Sequence, residues 1–244
     1  MDSRQNKLAF VTGVSSGIGE ALVNTLLEKN YSVVGLGRKS SITHPNFSFY
    51  QIDLSDTSRL ENFTFDAYDA NEIVLVNNAG IIGDIAPVGD LKSNSIKEII
   101  TTNVIALQIL CNKFIHQFLT KTPHLHIVNI SSGAGKRPID AWATYCSSKA
   151  AVDLFSQTIQ EEMKARNSQN FFIHAVAPGI VDTNMQVQIR AASPDKFLAS
   201  QRFHDIKNNN ELSSPVSVAQ RLFELIKNPA KNENCIISLS DIKC

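Results

Sequence analysis

The 244-residue chain predicts an α/β fold: a single doubly wound parallel sheet of about seven strands, with helices on both faces. Three observations carry this. Short apolar runs alternate with stretches of helical apolar spacing along the whole chain, the pattern of a parallel sheet with crossover helices. One run, "NEIVLVNNAG" (Asn71–Gly80), is apolar enough to be buried on both faces. The first run passes directly into a glycine-rich turn and then a helix.

The elements follow in order. "KLAFVTG" (Lys7–Gly13) reads as a buried strand, and Gly17–Asn30 as a helix with apolar residues at Ile18, Leu22, Leu26 and Leu27. Strands are expected at Tyr31–Arg38, Asn46–Leu54 and Asn71–Gly80, then a long helix over Ser93–Leu119. A fifth strand is expected at His124–Ser132, a long helix at Thr144–Arg166 and a sixth strand at Asn170–Gly179. A helix near Val216–Lys227 and a strand at Asn234–Ser240 close the chain. No repeat or linker divides it, so residues 1–244 are expected to form one domain. Residues 180–212 are the least regular long segment, and a substrate-covering loop is one reading of it.

Composition narrows the function classes. The 23 basic and 23 acidic residues give a formal net charge of zero, without the basic excess of a nucleic-acid footprint. No apolar run is expected to approach a membrane span, and "MDSRQNKLAFVTG" lacks the longer apolar segment and cleavage site of a signal peptide. Cys111, Cys146, Cys235 and Cys244 form no C-x-x-C pair and stand at no metal-ligand spacing with histidine. They are expected to be free thiols of a cytoplasmic protein that has no metal and binds neither nucleic acid nor membrane.

The turn "TGVSSGIG" (Thr12–Gly19) carries glycines at 13, 17 and 19 between the first strand and the first helix. Glycines let the backbone approach a ligand closely, and the helix amides behind them favour a pyrophosphate. A purely structural turn would use the same residues; the strand–turn–helix placement favours a dinucleotide. From Tyr31 through Gln51 there is no Asp or Glu to bond a ribose 2′-hydroxyl. Arg38 and Lys39 stand there instead, and a guanidinium suits a 2′-phosphate, so the cofactor is read as NADP(H). Ser16, inside the turn, adds no second positive charge.

"TYCSSK" (Thr144–Lys149) places Tyr145 and Lys149 on one helix face, a turn apart. An incidental surface pair would show the same spacing. An ammonium beside a phenol would lower its pKa from near ~10 and make it a general acid. Ser132 ends the fifth strand, twelve residues before Tyr145. Strand C-termini line the ligand crevice of such sheets, so a serine there can bond a developing alkoxide.

Taken with "NNAG" (Asn77–Gly80) and "PGIVDT" (Pro178–Thr183), these motifs resemble the short-chain dehydrogenase/reductase family, in its order, over residues 8 to 183. The resemblance implies a Rossmann-type fold with Tyr145 as catalytic acid/base. It implies that Lys149 lowers the tyrosine pKa and holds the nicotinamide ribose, while Ser132 polarises the carbonyl. Asn103, in "TTNV", matches the residue that anchors the proton-relay water. Cofactor contacts are implied for Gly13, Ser15, Ser16, Gly17, Ile18, Gly19, Arg38, Lys39, Asp53, Leu54, Asn78, Ala79, Gly80, Pro178, Gly179, Val181 and Thr183, besides Tyr145 and Lys149. Family members are commonly dimers or tetramers, so a homodimer or homotetramer is expected.

The segments "VDTNMQ…IR" and "SSGAGKRPIDAWATYCSSKAA" are similar to those of sepiapterin reductases and benzil reductases, which reduce one keto group of a vicinal dicarbonyl. In the former, an aspartate near the C-terminus holds the pterin. Ser238 stands at that place here, with Asp241 three residues on. Trp142, Ile139, Ile180, Met185 and Phe197 would give an apolar, aromatic-tolerant pocket, although each could equally be core. The resulting expectation is an NADPH-dependent reductase of a small-molecule carbonyl substrate, a benzil-like α-diketone, contacted by Ser132, Trp142, Tyr145 and Met185. Alternatives are a pteridine carbonyl reductase, a 3-oxoacyl carrier reductase, and a non-catalytic NADPH-sensing protein.

Overall fold

The computed structural model describes residues 6–66 and 70–242. Cys244, expected to be a free thiol, lies outside the described residues, while Cys111, Cys146 and Cys235 are free. Seven parallel strands form one sheet in the order β3-β2-β1-β4-β5-β6-β7. They are β1 (Lys7–Thr12), β2 (Ser32–Gly37), β3 (Phe47–Gln51), β4 (Glu72–Asn77), β5 (His124–Ile130), β6 (Phe171–Ala177) and β7 (Ile236–Ser238).

Alternation along each strand divides the core into two layers. In β1, Leu8 and Phe10 enter one layer and Ala9 and Val11 the other. The first layer is closed by α4 (Ala106–Phe118) and α5 (Ala143–Ala165), with a cluster of edge-on rings including Phe10, Phe65 and Phe114. The second is closed by α1 (Gly17–Glu28) packed on α8 (Pro215–Lys227). Ser214 caps α8 by accepting from the Ser217 amide at 3.1 Å, and Pro215 occupies its first turn.

The long helix expected at Ser93–Leu119 is a composite. The segments α3 (Ser93–Ile100) and α4 are joined by a π-helical turn, Thr101–Ile105, which holds Asn103. The continuous stretch Ser93–Phe118 is long and apolar enough, by composition, to cross a bilayer. Here its apolar stripe, including Leu107, Leu110 and Phe114, is buried in the first core layer.

Two readings need correction. The six-residue α2 (Thr57–Asn62), capped by Asp56, was not expected. Residues 180–212 are not an irregular loop either, since they contain α6 (Asn184–Arg190) and α7 (Ser200–Asn208). Ile189, Phe203 and Ile206 anchor these short helices.

Because every strand runs the same way, all C-termini open on one edge of the sheet. β1 and β4 are neighbours, and the chain winds outward from them in opposite directions, which makes a crevice at that edge. Gly13, Arg38, Asn78, Ser132 and Pro178 each follow a strand end at this edge by one or two residues.

Candidate active site

A cleft of about 1070 Å³ runs along this edge. One end is built by the glycine turn. Gly13 (φ +72°) and Gly17 (φ +62°) take left-handed conformations that favour glycine. A Cβ on Gly13 would lie 2.9 Å from the Ala79 backbone, and one on Gly17 would lie 3.0 Å from the Thr183 side chain. The turn is pinned from β4: Asn78 Nδ2 donates to the carbonyls of Thr12 (2.9 Å) and Gly13 (3.0 Å), and the Ala79 amide donates to Thr12 Oγ1 (3.0 Å). The Ser16 side chain makes no cap bond, so the first amides of α1 face the cleft without a side-chain acceptor.

These features fit a dinucleotide: a close-approach cradle, helix amides for the pyrophosphate and flanking polar side chains. Ser15, Ser16, Ile18, Asn78, Ala79, Gly80, Pro178, Gly179, Val181 and Thr183 all line the cleft with Gly13 and Gly17. Arg38, Lys39, Asp53 and Leu54 line its far end. The Asp53 carboxylate accepts from the Ser55 amide (2.9 Å) and hydroxyl (2.8 Å), which hold its pKa below the usual range, with a smaller pull from Arg38.

The other end gathers the residues assigned to catalysis. The inner stripe of α5 is polar where it meets the cleft (Tyr145, Lys149), with Ser148 buried behind it, and apolar where it meets the sheet (Ile159, Met163). Ser132 lines the cleft at the end of β5; its Oγ accepts from the Ala134 amide at 3.1 Å and lies beside the Tyr145 hydroxyl. Lys149 Nζ donates to the Ile130 carbonyl at 2.8 Å and lies 5.8 Å from the Tyr145 ring centre.

Protonation differs from the sequence-based expectation. Burial pushes the Tyr145 phenol up to about 12, against a downward pull from the Ser132 hydroxyl. Burial also draws the Lys149 ammonium down to about 8. For both groups burial is the largest influence, since each is taken out of water by the elements packed around the cleft. The phenol consequently keeps its proton across the neutral range, the form a general acid requires.

Three assigned residues lie behind the wall. Asn103 is buried; its Oδ1 accepts from the Ile81 amide, and its Nδ2 donates to the Ile81 carbonyl, each at 2.9 Å, and to Ser148 Oγ at 3.2 Å. It holds Ile81 and α5 in place. A Cβ on Gly80 would meet its Oδ1 at 3.4 Å and Lys149 Nζ at 3.5 Å, so the two polar groups flank one point of the wall. Gly19 packs beneath Gly13. Phe197 is fully buried, stacked on Trp142 at 5.7 Å, and belongs to the core rather than the pocket.

Trp142, Ile139, Ile180 and Met185 do line the substrate end, with Met185 Sδ 4.0 Å from the Tyr145 hydroxyl. Ile189, Phe203 and Ser238 join them. Ile189 and Phe203 were missed as pocket residues, although the i, i+4 spacings Met185/Ile189 and Ala199/Phe203 carry a helical signal.

The sequence model of the short chain dehydrogenase family matches residues 7–194. The chain is 33% identical over 235 residues to a benzil reductase ((S)-benzoin forming) of Bacillus cereus, covering 91% of this chain and 94% of that one. It is 31% identical over 233 residues to the Bacillus subtilis (strain 168) protein of the same description, covering 93% and 96%. A crystal structure of a short chain dehydrogenase/reductase from Saccharomyces cerevisiae superposes with a TM-score of 0.84, at 27% identity and 97% coverage of both chains. With the Ser132, Tyr145 and Lys149 side chains gathered at one cleft beside a dinucleotide cradle, the chain belongs to the short chain dehydrogenase family and is an oxidoreductase acting on carbonyl or alcohol groups.

Proposed function

We propose that the protein is an NADPH-dependent reductase of α-dicarbonyls, converting a benzil-like α-diketone to an α-hydroxy ketone. The observation that carries the substrate reading is the wall beyond Tyr145: Ile139, Trp142, Met185, Ile189 and Phe203 suit an aryl group. The likeness to benzil reductases supports it. NADPH, when bound, supplies the hydride. The Ser132 and Tyr145 hydroxyls bond the carbonyl oxygen of the substrate, and Tyr145 gives it a proton as charge develops there. Lys149 faces the tyrosine ring from inside the wall. Exposed Leu154 on α5 and Ile105 at the end of the π-helical turn supply apolar surface for the homodimer or homotetramer we infer. A cytoplasmic location agrees with buried free thiols at Cys111 and Cys235.

Cofactor choice rests on Arg38 and Lys39 at the cleft end, and on the absence of acid from Tyr31 through Gln51. At least a tenfold preference for NADPH over NADH in kcat/KM is expected, about 1.4 kcal/mol or more of differential binding. Arg38→Asp should shrink or reverse it. Equal use of both cofactors by the unchanged enzyme would refute the assignment.

Substrate class is tested at Ser238, an uncharged residue lining the cleft, whose Oγ bonds Ser240 Oγ at 2.8 Å. Benzil should be preferred to sepiapterin. Loss of a charged hydrogen bond to a pterin corresponds to about ten- to hundredfold in kcat/KM. Ser238→Asp should raise sepiapterin reduction and depress benzil reduction, because a carboxylate would be desolvated against an apolar ring. An unchanged enzyme that prefers sepiapterin would overturn the diketone reading.

A further inference from the structure

Among the described residues, Lys149 is the only lysine and Asp153 the only carboxylic acid that is buried, at 4% and 6% exposure. They stand one turn apart on the inner stripe of α5, where residues at i and i+4 are neighbours. They make no direct ion pair. The end of β5 lies against both. The Ile130 carbonyl accepts from Lys149 Nζ at 2.8 Å, and the next residue, Ser131, has its hydroxyl beside the Asp153 carboxyl. Asp153 Oδ1 has no hydrogen-bond partner. Gly135 seals the arrangement. A Cβ there would lie 2.9 Å from Asp153 Oδ2 and from the Lys149 backbone, so the carboxyl is pressed between the Gly135 turn and α5, away from water.

A lone buried carboxylate is strongly unfavourable, and so is a lone buried ammonium. With water excluded, opposite charges act on each other over more than contact distance. We propose that Asp153 is a positioning residue of the active site, whose carboxylate keeps the buried Lys149 protonated. The assignment rests on Lys149 belonging to the catalytic group and not on which carbonyl compound is reduced.

The charges around the pair agree. Burial draws Lys149 down and Asp153 opposes it. Burial draws Asp153 up, opposed by the Ser131 hydroxyl, Lys136 and Lys149. Lys136, on the Gly135 turn, is exposed to water. Cys235, which precedes β7, has a thiol pushed up mainly by burial, with Asp153 adding to it, and stays neutral. Tyr145 also stays neutral. Among the described residues, Lys149 is thus the one buried cation that answers Asp153, while Lys136 acts on it from the water-exposed side. Since Lys149 is needed as a cation, kcat/KM should fall on the alkaline side as it loses its proton, near pH 8.

The test uses Asp153→Asn, which keeps the shape and removes the charge. Enzyme labelled with 13C at the lysine ε-carbon is titrated by NMR, with the Lys149 signal identified by its loss in Lys149→Met. The Lys149 midpoint should fall by about one pH unit in Asp153→Asn. The alkaline limb of kcat/KM should move down by the same amount, with activity near pH 6 little changed. Asp153→Ser serves as a second variant should the asparagine enzyme fail to fold. An unmoved Lys149 midpoint, or an equal loss of activity at every pH, overturns the proposal and leaves Asp153 as packing only. The NMR midpoint needs no substrate, so its result stands even if benzil-like diketones are not reduced.

Discussion

Tyr145→Phe should lower kcat by at least ~10²-fold, the contribution typical of a general acid. The change removes one oxygen and keeps the ring, which packs edge-on to Trp142 with centres 5.6 Å apart. The glycine turn and the Arg38 end are untouched, so binding of the nicotinamide cofactor should remain nearly intact. The loss should therefore fall on kcat and not on cofactor affinity. Phenylalanine cannot bond the carbonyl oxygen beside Ser132 or hand it a proton. Lys149→Met gives the contrast: it removes the bond to the Ile130 carbonyl and the only buried ammonium among the described residues, so it should weaken both cofactor binding and turnover. Stopped-flow hydride transfer and cofactor titration separate the two effects. Near-normal turnover in the phenylalanine enzyme would mean the proton comes from another group.

The second large effect is on stability, at Gly19. A Cβ there would lie 2.2 Å from the Gly13 carbonyl oxygen and 2.5 Å from Asn78 Nδ2. The oxygen belongs to the backbone of the tight turn and cannot rotate away. Moving it would also break the Asn78 bond that ties β4 to the turn. Overpacking costs about 1–3 kcal/mol, and Gly19→Ala should reach the upper end or beyond, lowering Tm by about 6–12 °C. Gly37→Ala is the control, because a Cβ there would meet nothing nearer than 3.9 Å. Thermal unfolding of the two variants side by side decides the matter. Equal melting temperatures would show that the turn relaxes more easily than its packing implies.

Much of this site is legible in the sequence, because strand ends and motifs coincide. A run of Val, Ile and Leu followed by Gly13, Asn78, Ser132 or Pro178 announces both a buried strand and what stands at its C-terminus. The cleft lining accordingly includes nearly every assigned cofactor residue. The failures have physical causes. α6 and α7 have 7 and 9 residues, each with too few apolar positions to display a period. Phe197 is as apolar as Phe203, and only the packing of α7 decides which faces the pocket. Protonation was the least legible property. The Tyr145–Lys149 spacing is local, but the desolvation that governs both groups comes from distant elements. Residue spacing gives contacts; it does not give the dielectric around them.

The parallel order of the sheet also bears on how the enzyme is assembled. Every strand pairing requires a crossover, and the central seam joins β1 to β4, with Val11 opposite Val76. Such pairings are distant in sequence, so loop-closure entropy slows folding relative to a helical bundle. The glycine turn lies on one side of that seam, and Ser132 and Tyr145 on the other. Neither half of the chain contains a working fragment of the site, and cofactor can stabilise the protein only after the seam has closed. The cleft is also lined by Ser132, Tyr145, Lys149 and Pro178, so a newly made chain must extend well past the seam before the cleft that its glycine turn begins is complete.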